Sequence, residues 1–128
     1  MGVGSTAVAS KKLKRDCYGI EINEGFCAIA NQRIKEEKTV LGDSRKQKNY
    51  KIDKVDFIVT SPPYWDILKK KRGNSDSQHK NRKDKNLKLY YSDNPDDLGN
   101  IDNYEVFLKE LKKVFRKCYS ILKSKKYI

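Results

Sequence analysis

Cysteine, proline, histidine and tryptophan are all scarce in these 128 residues, and each scarcity removes a class of explanation. The three cysteines, Cys17, Cys27 and Cys118, show no CxxC spacing and leave one thiol over after any pairing. A disulfide framework is therefore not expected, and reduced thiols in a cytoplasm are. The single His79 stands among lysines with no partner at metal-ligand spacing, so no metal site is expected. No apolar run approaches the roughly 20 residues that span a bilayer. No signal-peptide pattern is present either, because the small residues at the start precede the charges. Acidic residues are few beside basic ones, 17 against 29, for a net charge of +12. That balance favours a polyanionic partner, nucleic acid ahead of an anionic membrane surface, although surface lysine that only keeps a domain soluble gives the same total. The apolar share of 37% is low yet compatible with a core, and the length allows one domain at most.

What is present is organised around Val55-Asp56-Phe57-Ile58-Val59-Thr60-Ser61-Pro62-Pro63-Tyr64-Trp65-Asp66. The β-branched and aromatic run reads as a buried strand. Two prolines end it, since neither can donate to a ladder and both force a stiff, extended exit. The stop carries a hydroxyl, a phenol and an indole, and the C-terminal ends of strands are where open α/β sheets hold ligands. An ordinary strand closed by a Pro-Pro turn is the plainer reading of the same residues.

Before it, Gly2-Val3-Gly4-Ser5-Thr6 feeds a short helical pattern through Ala7, Val8, Ala9 and Leu13. Such a turn lets backbone approach a ligand at a helix N-terminus, though flexible termini share the composition. Cys17 to Ile22 reads as a strand carrying Glu21, seventeen positions after Gly4. That is near the spacing of about 20 at which a strand-tip carboxylate takes ribose hydroxyls, a solvated strand end being the alternative. Asn23 is placed to cap a helix reaching about Glu37, with Phe26, Ala30 and Ile34 on one face and Ile29 widening it. Thr39 to Asp43 forms a third strand whose Asp43 is either a turn former or a group facing a bound base.

Beyond a polar connector, Ser44 to Lys54, and the Ser-Pro-Pro-Tyr strand, residues 69–88 lose all periodicity. They hold nine Lys or Arg against two Asp, a net +7, and within a 69–96 loop they suit either a solvated segment or phosphate-backbone contact. Asp102 and Glu105 resemble a capping box. The long helix after them buries a stripe of Tyr104, Phe107, Leu108, Leu111, Val114, Phe115, Cys118 and Leu122. Lys125 to Ile128 begins a further strand.

Alternation of this kind predicts an α/β fold with a mostly parallel, doubly wound sheet. Taken together, Thr60-Ser61-Pro62-Pro63-Tyr64-Trp65, the glycine turn, Gly19-Ile20-Glu21-Ile22-Asn23 and Leu98-Gly99-Asn100-Ile101 resemble the amino-methylating DNA methyltransferases. That family modifies N4 of cytosine or N6 of adenine with S-adenosyl-L-methionine. The resemblance runs over residues 1–128 and implies a partial catalytic domain with the Rossmann-like methyltransferase fold. It further implies that Gly2, Gly4, Ser5 and Thr6 cradle the methionine part of the cofactor, that Glu21 binds its ribose and that Asp43 lies near its adenine. Ser61, Pro62, Pro63 and Tyr64 would hold a base flipped out of DNA. Trp65, Lys69, Lys70, Lys71, Arg72, Lys80, Arg82 and Lys83 would contact the DNA.

Chemistry gives those residue types a reason. An exocyclic amino group is a poor nucleophile, because its lone pair is delocalised into the ring, and it is out of reach inside a duplex. Acceptors on its hydrogens, the Ser61 hydroxyl and by the family pattern the Pro62 carbonyl, favour a pyramidal nitrogen in the transition state. No cysteine follows a proline, which speaks against covalent C5-cytosine methylation. Ser rather than Asp before Pro-Pro-Tyr tilts the resemblance toward cytosine N4, with adenine N6 the alternative. The family also carries a first strand with Asp-Pro-Phe before the glycine turn and further strands after the long helix. The expectation is thus a fold truncated at both ends, with a complementary chain supplying strands, or a non-catalytic DNA-binding remnant.

Overall fold

Gly4 sets the entrance to the ordered chain. In the computed structural model, which describes residues 1–50, 52–65, 85 and 92–128, helix α1 (Ser5–Lys12) starts from Gly4 at φ 79°, in the left-handed region. A Cβ at Gly4 would lie 2.8 Å from both Cα and Cβ of Ala30. Backbone conformation and close packing therefore demand glycine for independent reasons.

Strand β1 (Gly19–Glu21) leads through Asn23 into helix α2 (Glu24–Ile34). The Asn23 side chain accepts from the Phe26 N–H, satisfying a donor that the helix itself leaves unpaired. Lys35 closes α2 in a left-handed conformation, φ 56°. Strand β2 (Thr39–Leu41) then runs parallel to β1, with Gly19 opposite Thr39 and Glu21 opposite Leu41. The buried face of α2 differs from expectation. Cys27, Ala30 and Ile34 are buried, whereas Phe26 and Ile29 are 43% and 41% exposed. The smaller Cys27 and Ala30 share the helical spacing and let α2 lie close to its neighbours, which a phenylalanine would prevent.

A 3-10 segment, Ser44–Asn49, kinked at Lys46, opens the second half. Strand β3 (Val55–Phe57) pairs in parallel with β4 (Leu122–Tyr127), which continues directly from helix α3 (Tyr104–Ile121). Val55 faces Leu122 and Phe57 faces Tyr127; the surplus length of β4 is absorbed in an irregularity where Lys125 is left-handed at φ 57°. Asn103 caps α3 by accepting from the Val106 N–H at 3.0 Å, one residue later than the Asp102 cap expected. The Asp102 carbonyl instead accepts from the Trp65 indole. Of the predicted stripe, Phe107, Val114 and Cys118 are buried with Leu98, and Ile58, Trp65, Ile101 and Leu111 pack around them. Tyr104, Leu108 and Phe115 form its more exposed fringe.

The architecture is α/β with parallel pairing, but among the described residues the strands form two separate pairs, β1–β2 and β3–β4, rather than one doubly wound sheet. In consequence β3 is not the buried strand expected. Phe57 and Val59 are 62% and 63% exposed, while the intervening Ile58 turns to the core. With β4 as its one strand neighbour, β3 has a single covered face. Lys69, Lys70, Lys71, Arg72, Lys80, Arg82 and Lys83 lie outside the described residues. No helix among the described residues is long and apolar enough to cross a membrane.

Gly4→Ala is expected to cost about 2–5 kcal/mol, from a left-handed penalty of about 1–2 and an overpacking penalty of about 1–3. The measurement is the urea midpoint, and an unchanged midpoint would show that α1 and α2 do not approach as described.

Candidate functional site

The tips of β1, β2 and β3 converge on one cavity of about 390 Å³. Its wall takes in Gly2, Glu21, Asp43, Ser61, Pro62, Pro63 and Tyr64, residues far apart in the chain that the sequence had already singled out. Gly4, Ser5 and Thr6 are not part of that wall. The left-handed Gly4 turns the chain into α1, and Ser5 and Thr6 lie exposed on the first turn of that helix.

Glu21 is held by main chain. Its Oε2 accepts from the Gly2 N–H at 2.6 Å and from the Met1 ammonium at 3.1 Å, and its Oε1 accepts from the Asn23 N–H at 3.0 Å. Burial alone would raise its pKa, but the Asn23 and Gly2 N–H groups and the ammonium outweigh it and hold the carboxyl below the ordinary range. Three acceptor positions of about four are thus used, leaving one on Oε1 for a further donor. Cys27, nearby on α2, donates its thiol to the Thr39 carbonyl at 3.3 Å. Burial first, then the Glu21 and Glu24 carboxylates, push this thiol up, which disfavours the thiolate.

Asp43 is engaged differently. Arg45 Nε lies 3.0 and 2.9 Å from its two carboxylate oxygens, and the Arg45 N–H donates to Oδ1 at 2.8 Å. The Asp43 N–H donates to the Tyr50 hydroxyl at 2.9 Å. Burial pushes this carboxyl up, but the hydrogen bonds and charge of Arg45, with Lys46 behind, hold it below the ordinary range. The same guanidinium reaches Glu110 of α3 at 2.9 Å and the Asp96 carbonyl at 2.6 Å.

The Ser61 and Tyr64 side chains are exposed, and neither hydroxyl has a partner among the described residues. Pro62 and Pro63 are half-buried between them. Trp65 turns the other way. Its indole donates to the Asp102 carbonyl at 3.2 Å, its ring lies 4.9 Å from that of Tyr104 at 58°, and it packs on the core. The structure thus places this side chain, expected at the DNA, as an anchor fastening the Pro-Pro turn to the start of α3.

Several wall residues had no individual signal in the sequence. Ser92, Asp96, Asp97 and Leu98 close the side opposite β1, and Phe26 and Val114 add apolar surface. Asp97 accepts from the Ser92 hydroxyl at 2.6 Å and the Gly99 N–H at 2.9 Å. Of this segment the sequence had singled out only Leu98, within Leu98-Gly99-Asn100-Ile101; the Asx-type spacing of Asp97 before Gly99 is a further local clue. Among the described residues the wall contains four carboxylates, Glu21, Asp43, Asp96 and Asp97, and no lysine or arginine, in a chain of net charge +12. A smaller cavity of about 240 Å³ between Lys11, Lys14, Arg15 and Cys17 contains none of the candidate residues. No cluster of His, Cys, Asp or Glu able to hold a metal occurs among the described residues.

Residues 1–32 match a family model described as DNA methylase, of the N6 and N4 type. The match takes in the glycine turn, β1 with Glu21 and most of α2. No curated protein and no solved structure matches the chain significantly.

Because the carboxyl of Asp43 is held low, its stabilisation is complete above the ordinary value, about pH 4, and is lost as pH falls through the lowered one. Arg45→Gln is expected to cost about 2–4 kcal/mol at neutral pH, since it strands a mostly buried carboxylate. It should also flatten the loss of stability below about pH 4. Urea midpoints across a pH series check both; identical pH slopes in the two proteins would mean that Arg45 is not what holds Asp43 down.

Proposed function

We propose, on the premise that this chain belongs through residues 1–32 to the amino-methylating DNA methylase family, that it transfers a methyl group from S-adenosyl-L-methionine to N4 of cytosine in DNA. The observation that carries the reading is the single cavity in which Glu21 and Asp43 share a wall with the Ser61 to Tyr64 turn. A cofactor and a base must meet in one enclosure for direct transfer, and the volume lies within the range of small-molecule sites. The wall supports the same reading through Glu21, whose one open acceptor position suits a ligand that brings a hydroxyl.

Glu21 would use its remaining acceptor position for a ribose hydroxyl, and Gly2 and Asp43 would form the wall on either side of it. Gly4, Ser5 and Thr6 would act from behind, by setting the turn that presents Gly2. The cofactor supplies an electrophilic methyl carbon on a sulfonium. The protein's part is to position and polarise the other reactant. The Ser61 hydroxyl and the Pro62 carbonyl accept from the amino hydrogens of the flipped cytosine, drawing its nitrogen toward a pyramidal geometry that only the transition state requires. Tyr64 offers a stacking face worth about 1–3 kcal/mol to an extrahelical base. The prolines and the Trp65 anchor keep these acceptors fixed. After transfer the surplus proton leaves to water, with no covalent enzyme intermediate.

A second reading has an observation in its favour. Glu21 and Asp43 are both already engaged, the first by three donors and the second by Arg45, as they would be in a DNA-binding remnant that ignores the cofactor.

Calorimetric titration with S-adenosyl-L-methionine separates the two. Micromolar binding is expected, weakened about 10- to 100-fold by Glu21→Ala, the loss of a charge-assisted hydrogen bond. No heat of binding would leave the remnant. Nucleoside mass spectrometry of exposed DNA should show N4-methylcytosine, reduced about 100-fold by Ser61→Ala. N6-methyladenine alone would overturn the choice of base.

A further inference from the structure

Helix α3 turns Phe107, Val114 and Cys118 inward, with Val114 reaching the cavity wall. On the opposite side lie Lys109, Lys112, Lys113 and Arg116, spaced at i, i+3, i+4 and i+7 and all exposed. Most exposed cations of the described chain that approach an acid are paired with it, as Lys11 with Glu36, Lys46 with Asp96, and Lys123 and Lys126 with Asp56. On this face only Lys113 is paired, to Glu110, which Arg45 also engages. Lys109, Lys112 and Arg116 have no acidic partner among the described residues, and Glu105, one turn below Lys109, makes no ion pair with it. Lys54 extends the row, its ammonium seated 2.8 Å from the Ser120 carbonyl at the last turn of α3.

We propose that this outer face of α3 is a second nucleic-acid contact, separate from the cavity, that grips the phosphate backbone of duplex DNA without reading sequence. The proposal rests on the DNA reading above. A rise of 1.5 Å per residue puts Lys109 and Arg116 about 10 Å apart along the helix, a span matching roughly three phosphates of one strand. A row of cations at phosphate spacing, three of its four members without an acidic partner among the described residues, favours a polyanionic rod, and the exposed Leu108, Phe115 and Tyr119 flanking it make an anionic vesicle the competing surface. Since the row points away from Ser61 and Tyr64, it holds DNA without presenting a base. Its role is retention on the duplex while the target is found.

The test is the salt dependence of binding of the intact chain to a labelled DNA duplex, followed by fluorescence anisotropy. The triple variant Lys109→Gln, Lys112→Gln, Arg116→Gln should lower the slope of log K against log salt by about 2–3, at about 0.9 per phosphate contact. A charge-matched control, Lys12→Gln, Arg15→Gln, Lys35→Gln, should leave the slope unchanged. Equal loss in both variants would mean diffuse attraction and overturn the proposal, as would an unchanged slope in the α3 variant. If that variant lost binding to phosphatidylserine vesicles but kept its duplex slope, the face would belong to a membrane and the proposal would fall. Absence of duplex binding by the unaltered chain would defeat the DNA reading itself. Duplex binding with an unaltered slope in the α3 variant defeats this inference alone. All six positions are exposed, and circular dichroism confirms that each variant is folded.

Discussion

The Arg45 guanidinium, with the Lys46 ammonium beside it, ties the two halves of the cavity together. The β1–β2 pair and the β3–β4 pair share no ladder, so no strand hydrogen bonds span the gap between them. Arg45 crosses it instead, bonding Asp43 at the tip of β2, Glu110 on α3 and the Asp96 carbonyl. A planar fork suits this task better than an ammonium would, because its donors point in fixed and different directions. The arrangement is costly to break from one side, since an isolated buried carboxylate is worse than an intact pair. The cavity depends on it directly: Asp43 and Asp96 stand on facing walls and are bound through the same side chain.

Charge in this protein is sorted by place. Among the described residues the wall of the cavity holds carboxylates and no lysine or arginine, while the outer face of α3 holds cations with few acids. A net charge of +12 would otherwise make any cleft attractive to anions.

Much of this was legible in the sequence wherever the cause was local. Asn23 caps α2 because an Asx side chain can reach a donor three residues on, and the centre of the α3 stripe, Phe107, Val114 and Cys118, buries because its spacing puts it on one face. Glu21 and the Ser-Pro-Pro-Tyr turn share a wall and both sit at strand tips, as the sequence suggested, although their strands belong to separate parallel pairs. What escaped was set by contacts distant in the chain. Arg45 read as one more polar connector residue, yet its partners Asp96 and Glu110 lie 51 and 65 positions away. The seat of Trp65 against Tyr104 and Asp102 went unread because nothing near it in the chain signals either partner. Phe26 exchanged places with Cys27 because close packing, not hydrophobicity, chose the face of α2. The single sheet implied by alternating elements did not form among the described residues, since alternation specifies neighbours in order without guaranteeing that each pair joins the next.

The position of Trp65 carries an optical consequence. It is the one tryptophan of the chain, it follows Tyr64 directly, and its indole is hydrogen-bonded at one edge and tilted against the Tyr104 ring 4.9 Å away. Any movement that closes the Pro-Pro turn over a ligand shifts the indole relative to those partners. Its emission is therefore a label already in place, reporting on the turn from within the protein's own core.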